Sequence, residues 1–226
     1  LPLLINGATR PSEIDFSKNI FSLATNNNYT TSFISIQTKK STRYIKPYLH
    51  QKKINNFNIV GSRDDKELLN LFENIDFNST KANFIVMQMQ GQHSPYIYYE
   101  NYKKSTIQEQ YTQSMHYSNR IILEMIEYIK SLKKETLFIF TSDHGELLGE
   151  RGKMGHNRFE KEIYRVPLIL FHTLKQKIDF QNIQSHHDIY TLMHYILGYA
   201  KELEFSQKKI RVNGSMISEE DGFREF

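Results

Sequence analysis

The chain has 226 residues, 24% of them charged and 39% hydrophobic, and its 29 basic and 25 acidic side chains leave a net charge of +4. That is enough for one large globular domain. The charge is mild and unclustered, so nucleic-acid binding is not indicated. There is no cysteine, which excludes disulfides, thiolate metal sites and a cysteine nucleophile, and no apolar run reaches the roughly 18 residues of a membrane-crossing helix.

Leu1 to Ile5 is apolar and ends at an Asn6-Gly7 turn signal. Ser12 is placed to cap a helix carrying Ile14, Ile20, Phe21 and Leu23, which Asn26-Asn27-Asn28 terminates. Tyr29 to Ile36 is rich in β-branched and aromatic residues and reads as a strand. Asn58 to Gly61 is a weaker strand signal, and Ser62 or Asp64 then caps a helix through Phe72. Ala82 to Gln90 holds the continuous Phe84-Ile85-Val86-Met87 run of a strand buried on both faces. It leads into the loop Gly91-Gln92-His93-Ser94-Pro95. Gln108 to Leu132 has Tyr117, Ile121, Ile122, Met125, Ile126, Ile129 and Leu132 at helical spacing, with Glu124, Glu127, Lys130 and Lys133 on a solvated face.

Leu137-Phe138-Ile139-Phe140 is the next strand run, and the chain turns polar at once after it, through Thr141-Ser142-Asp143-His144-Gly145-Glu146. Ligands bind beyond the carboxyl ends of strands in open α/β sheets. An adjacent carboxylate and imidazole at such an end suit Zn²⁺ or Mn²⁺. Gly145 is expected to let the backbone turn so that Asp143 and His144 face one ion. Gly149, Gly152 and Gly155 carry the loop on to His156. Asp143 and His144 alone are at most half a tetrahedral shell, so weak or absent zinc binding is expected of the chain by itself. Glu146 and Glu150 read as hydrogen-bond acceptors for ligand histidines or as plain loop carboxylates, and Lys153 as an anion contact or a solvated lysine. Val166 to Phe171 is a further strand, whose Pro167 favours its start or an edge. Ser185 to Tyr199 is a helix opened by His186-His187-Asp188, read as mainly structural. Lys201 to Phe226 is a polar tail with a hairpin signal at Asn213-Gly214. Strands alternating with helices predict one domain over 1–226, its tail at 201–226. The expected fold is α/β: one mostly parallel central sheet, including Tyr29–Ile36, Ala82–Gln90, Leu137–Phe140 and Val166–Phe171, with helices on both faces.

The pattern SDHGE-x-x-GE-x-G-x-x-x-H over Ser142–His156 resembles the metal-binding signature of the alkaline phosphatase superfamily. More narrowly, it is similar to that of the sulfatase-like phosphoethanolamine transferases. Tyr29–Gln37 resembles a strand of that family, and His93-x-Pro95-Tyr96 matches its loop, with Gln92 and Ser94 departing from the usual residues. The resemblance implies an alkaline phosphatase/sulfatase-like fold, with Asp143 and His144 as metal ligands for Zn²⁺, Mn²⁺ being possible. It implies His93 and His156 as catalytic contacts to the transferred phosphoryl group. It further implies a threonine nucleophile forming a phospho-enzyme and an early glutamate ligand. Both are expected upstream of Leu1 in a domain truncated on its N-terminal side, with Thr9 a fallback nucleophile; the 226 residues alone are then expected to be inactive. The implied donor is phosphatidylethanolamine and the implied acceptor lipid A or another surface glycan. The implied setting is the bacterial inner membrane with this domain in the periplasm, as a monomer anchored through a missing N-terminal region. Family members that modify lipid A commonly carry disulfides, from which this cysteine-free chain departs. Sibling activities, sulfatase or glycerophosphate transfer, belong to the same superfamily, although no C-x-P-x-R sulfatase motif occurs here. The alternative from another class is a non-catalytic remnant that binds an anion or glycan.

Overall fold

In the computed structural model, which describes residues 2–96, 105–156, 158–205, 211–213 and 223–225, the apolar runs become strands and the periodic segments cover them. Strand β1, Thr30–Ser35, is the centre of a three-stranded parallel sheet of order β2-β1-β3, with β2 at Asn56–Ile59 and β3 at Asn83–Gln88. Phe33 is fully buried there and stacks on Phe57 across the ladder, with ring centroids 5.4 Å apart.

Two apolar clusters sandwich this sheet. On one face, helices α1 (Pro2–Asn6), α2 (Ile20–Asn26) and α7 (His186–Ile196) meet Phe33, Phe57, Phe84 and Val86. On the other, α4 (Asp65–Glu73) and α5 (Ile107–Leu132) pack Leu68, Phe72, Ile121, Met125 and Ile129 against Ile34, Ile85 and Met87. A short helix, α3, spans Lys39–Thr42. Helix α5 starts at a capping box in which Thr106 and Glu109 satisfy each other's backbone amides. The helix expected from Ser12 is instead two short 3₁₀ turns followed by α2. Asp15 Oδ1 accepts the Ser17 N–H at 2.9 Å and closes a turn of its own, and Asn19 takes the capping place, accepting from Phe21 N–H at 3.0 Å.

The α/β class, the parallel sheet and the two helical faces hold; the continuity of the sheet does not. Strand β4, Leu137–Thr141, pairs antiparallel with β7, Leu168–His172, and among the described residues this pair shares no ladder with β3. Between β4 and β7 lie a small hairpin, β5 (Leu147–Leu148) with β6 (Met154–Gly155), and helix α6 (Lys161–Tyr164). At the tail, β8 (Arg211–Asn213) and β9 (Phe223–Glu225) pair antiparallel, while the residues that would form the Asn213-Gly214 turn lie largely outside the described residues.

Candidate metal centre

The site begins where β4 ends. Ser142 Oγ donates to the His144 carbonyl at 2.8 Å, folding the chain back on itself. His186, at the start of α7, places Nε2 2.8 Å from the Ser142 carbonyl and 3.4 Å from Thr141 Oγ1. Because a carbonyl only accepts, that nitrogen carries the proton. Burial holds the imidazole pKa below its usual value, so a neutral ring props the turn from beneath. His186 is thus more than the helix-start residue read from sequence. Ser185 caps α7, its Oγ accepting from Asp188 N–H at 3.2 Å, and Asp188 in turn accepts from Gln184 N–H and Ser185 Oγ at 2.9 Å each.

Gly145 is required here for a reason other than a turn. Its N–H donates to the Ile163 carbonyl at 2.7 Å, and a Cβ on it would lie 2.0 Å from the Glu162 carbonyl oxygen. The backbone of α6 therefore passes too close for any side chain.

The hairpin that follows determines which side chains meet. Its register pairs Leu147 with Gly155. The next residues outward, Glu146 and His156, come opposite each other, and His156 Nδ1 lies 2.9 Å from Glu146 Oε2. The returning loop reverses through Gly149, Gly152 and Gly155, all at positive φ. The His156 ring then stacks on His144, with centroids 4.0 Å apart and planes at 24°. His144 donates its Nδ1–H to the Gly145 carbonyl at 2.8 Å, so its Nε2 presents a lone pair. His144, Glu146 and His156 each offer a ligand atom within 4.8 Å of the others. Two imidazoles, a carboxylate and an open position form a donor set that fits a catalytic zinc ion.

The four residues singled out in the sequence are not held alike. Asp143 lies next to this group but outside it; its carboxylate is 55% exposed, and Oδ1 is 3.9 Å from His144 Nε2. His93 is exposed after β3, its Nδ1 2.6 Å from the Ser94 carbonyl. All four nevertheless line one cavity. Burial first, and then the nearby Glu146 charge, push the buried Tyr96 phenol, three residues past His93, up to about 12. Tyr96 packs edge-on to Tyr111 at 5.5 Å. The sequence could reveal Glu146 only as an acceptor for a histidine. Its place among the possible ligands depends on the β5–β6 register, which two-residue strands do not signal.

Other candidates settle elsewhere. Lys153 is ion-paired to Glu160, and Arg151 bridges Glu160 and Glu162 at 3.0 and 3.1 Å, tying the hairpin to α6. Glu150 accepts the Leu148 N–H at 2.6 Å and stays local to the loop. Thr9 Oγ1 donates to Glu13 Oε2 at 2.8 Å.

The sulfatase family model matches residues 6–201. The chain belongs to the sulfatase family. Among curated relatives it is similar to phosphoethanolamine transferase EptA of Helicobacter pylori, 24% identical over 183 residues, or 70% of this chain and 35% of that protein. It is also similar to the low-salt glycan biosynthesis sulfotransferase Agl7 of Haloferax volcanii, 35% identical over 78 residues, which is 29% of this chain and 19% of that one. The chain thus spans about a third or less of the length of these relatives. In fold, this sulfatase-family domain is similar to the zinc complex of the periplasmic domain of Escherichia coli EptC. That match has a TM-score of 0.73 and 15% identity, over 96% of this chain and 78% of that one. The periplasmic domain of Campylobacter jejuni EptC gives a TM-score of 0.63 and 18% identity, over 79% and 65%. The lipoteichoic acid synthase LtaP of Listeria monocytogenes gives 0.62 and 15%, over 86% and 58%.

Proposed function

We propose that this domain is the catalytic part of a zinc-dependent phosphoethanolamine transferase. It would move the headgroup of phosphatidylethanolamine to lipid A or another surface glycan from the periplasmic side of a bacterial inner membrane. The observation that carries the reading is the His144–Glu146–His156 group at the end of β4, opening on the same cavity as Asp143 and His93. Support comes from the likeness in sequence to EptA and in fold to EptC.

In this reading zinc, when bound, supplies Lewis-acid stabilisation of charge on the phosphoryl oxygens. His144 holds it through Nε2 and belongs to both possible ligand sets, the one with Asp143 and the one with Glu146 and His156. Glu146 orients the His156 ring through Nδ1. Protonated, His156 offsets phosphate charge or gives its proton to the leaving alkoxide. His93 contacts the phosphoryl group from the β3 side. The nucleophilic threonine and a further glutamate ligand are assigned to residues preceding Leu1.

The test uses a longer, membrane-embedded form of the protein with headgroup-labelled phosphatidylethanolamine and lipid A. Label should pass to the acceptor. Asp143→Ala should abolish transfer, and His156→Ala should slow it about 10²–10⁴-fold. Undiminished transfer in both variants contradicts the proposal. Transfer from a glycerophosphate donor alone would favour an activity like that of the LtaP relative.

A further inference from the structure

Unclustered as a run, the charge is nonetheless divided unevenly along the chain. From Phe16 to Arg63 there are eight basic side chains and no acidic one, which leaves 21 basic against 25 acidic elsewhere. The mild average thus conceals a strongly basic segment on a net-acidic remainder. Six of the eight lie between Lys39 and Lys53, where α3 and two 3₁₀ turns, Lys46–Tyr48 and Gln51–Lys53, join β1 to β2. The fold turns them outward. Thr42, Ile45, Leu49 and Ile54 are buried, the last three in the cluster under α1 and α2. Lys39, Lys40, Arg43, Lys46 and Lys52 are exposed, and Lys53 is half-buried. The turns pack on α1 and α2, neither of which carries a charged residue. Among the described residues none of the six is ion-paired to a carboxylate.

The segment also runs the length of β1. It leaves from that strand's carboxyl end and comes back beside its start, where the Lys53 carbonyl accepts from Thr31 Oγ1 at 2.8 Å. A strand of that length spans about 20 Å, so the charges cover a surface rather than close on one anion. Aromatic rings are set among them. Tyr44 is 69% exposed, with the Arg43 guanidinium 4.6 Å from its ring centre. The Arg43 hydrogen bond, and then the Arg43 and Lys40 charges, hold the Tyr44 phenol below its usual 10, which places Lys40 at the same spot. Phe16, 42% exposed, meets His50 edge-on at 5.8 Å. Long cationic side chains with apolar stems, and rings exposed between them, are the residue types that settle at a lipid headgroup layer. A hydrophilic polyanion would be met by the charges alone and gives an exposed Phe16 nothing to enter.

We propose that the basic face formed by Lys39–Lys53 docks on a bilayer surface of anionic lipid, with Tyr44 and Phe16 at the level of the headgroups. Gln37, Ser41 and Tyr44 also line the cavity that holds His93 and His144, so docking turns that rim of the cavity to the lipid. The inference rests on this surface and not on the catalytic reading.

Vesicle co-sedimentation of the 226-residue chain tests this, with phosphatidylglycerol and phosphatidylcholine in equal parts against phosphatidylcholine alone. The anionic vesicles should bind at least about 10-fold more tightly. They should release the protein as salt cuts the screening length from about 10 Å at 0.1 M to about 3 Å at 1 M. Each basic residue at such a surface contributes a factor of about five. Lys39→Glu, Lys40→Glu and Arg43→Glu together should therefore weaken binding at least about 100-fold. The control Lys175→Glu, Lys177→Glu and Lys201→Glu, at exposed positions and with the same change of net charge, should weaken it less than about 5-fold. The chain has no tryptophan, so Tyr44→Trp places a single fluorophore in the face, and its emission should move to shorter wavelength with anionic vesicles only. Equal binding to both vesicles, equal loss in the two triple variants, or an unmoved emission would overturn the proposal. So would a preference for dextran sulfate or RNA over the vesicles, which would assign the face to a soluble polyanion. Release by inorganic phosphate at constant ionic strength would also overturn it, by reducing the face to a single-anion site.

Discussion

The two strand ends that face the cavity are fixed by different partners. The loop after β3 is held from below by one buried carboxylate. Asp65, 3% exposed, accepts from Gln90 N–H at 2.8 Å, Gly91 N–H at 3.2 Å and Ser118 Oγ at 3.2 Å. It thereby pins the root of the loop to α4 and α5 and leaves the His93 side chain exposed, its Nδ1 against the Ser94 carbonyl. The turn after β4 is held mainly by backbone, through Gly145 on Ile163 and His186 on Ser142. Its side chains are thus free to gather two imidazoles and a carboxylate. In both, other elements hold the strand end's own backbone groups: the Asp65 carboxylate of α4 takes the amides after β3, and the Ile163 carbonyl and the His186 imidazole hold the turn after β4.

Removing the backbone anchor should have the largest effect. In Gly145→Ala, the new methyl group meets the Glu162 carbonyl and the bond to Ile163 is lost. Denaturant melts should show a loss of about 3 kcal/mol, together with loss of zinc binding. Unchanged stability would mean that α6 does not press on this turn. Asp65→Ala leaves two N–H groups and a hydroxyl without their acceptor and should cost about 2 kcal/mol. Zinc affinity at the β4 end should be left unchanged. An equal loss of zinc would show that the two ends are coupled rather than separate.

The smallest effect is on pH dependence. Burial raises the Asp65 pKa above the ordinary carboxylate value of 3.8, against the opposing pull of its hydrogen-bond donors. The unfolded chain therefore ionises first. Asp65 should make stability fall as pH climbs from about 3.8 to the raised folded value, then level off. Asp65→Asn should remove that slope from urea midpoints measured across the window, and a slope that persists would assign it to another group.

Much of this contrast was legible beforehand. The β1, β3 and β4 runs are apolar and bounded by polar residues, so their strands and the loops after them follow from pattern alone. The D-H-G-E pattern likewise located the β4 end. What pattern could not carry was pairing. Which strands share a ladder is a long-range property, and β4 met β7 rather than β3. The Glu146–His156 contact depends on a hairpin of two-residue strands, and the need for glycine at 145 on a helix carbonyl that arrives seventeen residues later. Asp65 stands out in no sequence pattern, and only the fold shows it buried beneath another strand's loop.

The central claim is that the β4 end is a zinc site built from this chain's own residues. Zinc titration by calorimetry, with X-ray absorption of the loaded protein, tests it most directly. The account predicts one Zn²⁺ per chain, with the His144 imidazole nitrogen at about 2.0–2.1 Å and at least one carboxylate oxygen. Binding should be lost in His144→Ala and weakened at least about 10-fold in Glu146→Gln, whether Glu146 is a ligand or orients His156. Zinc bound with unchanged affinity in His144→Ala, or a shell without imidazole, would contradict it.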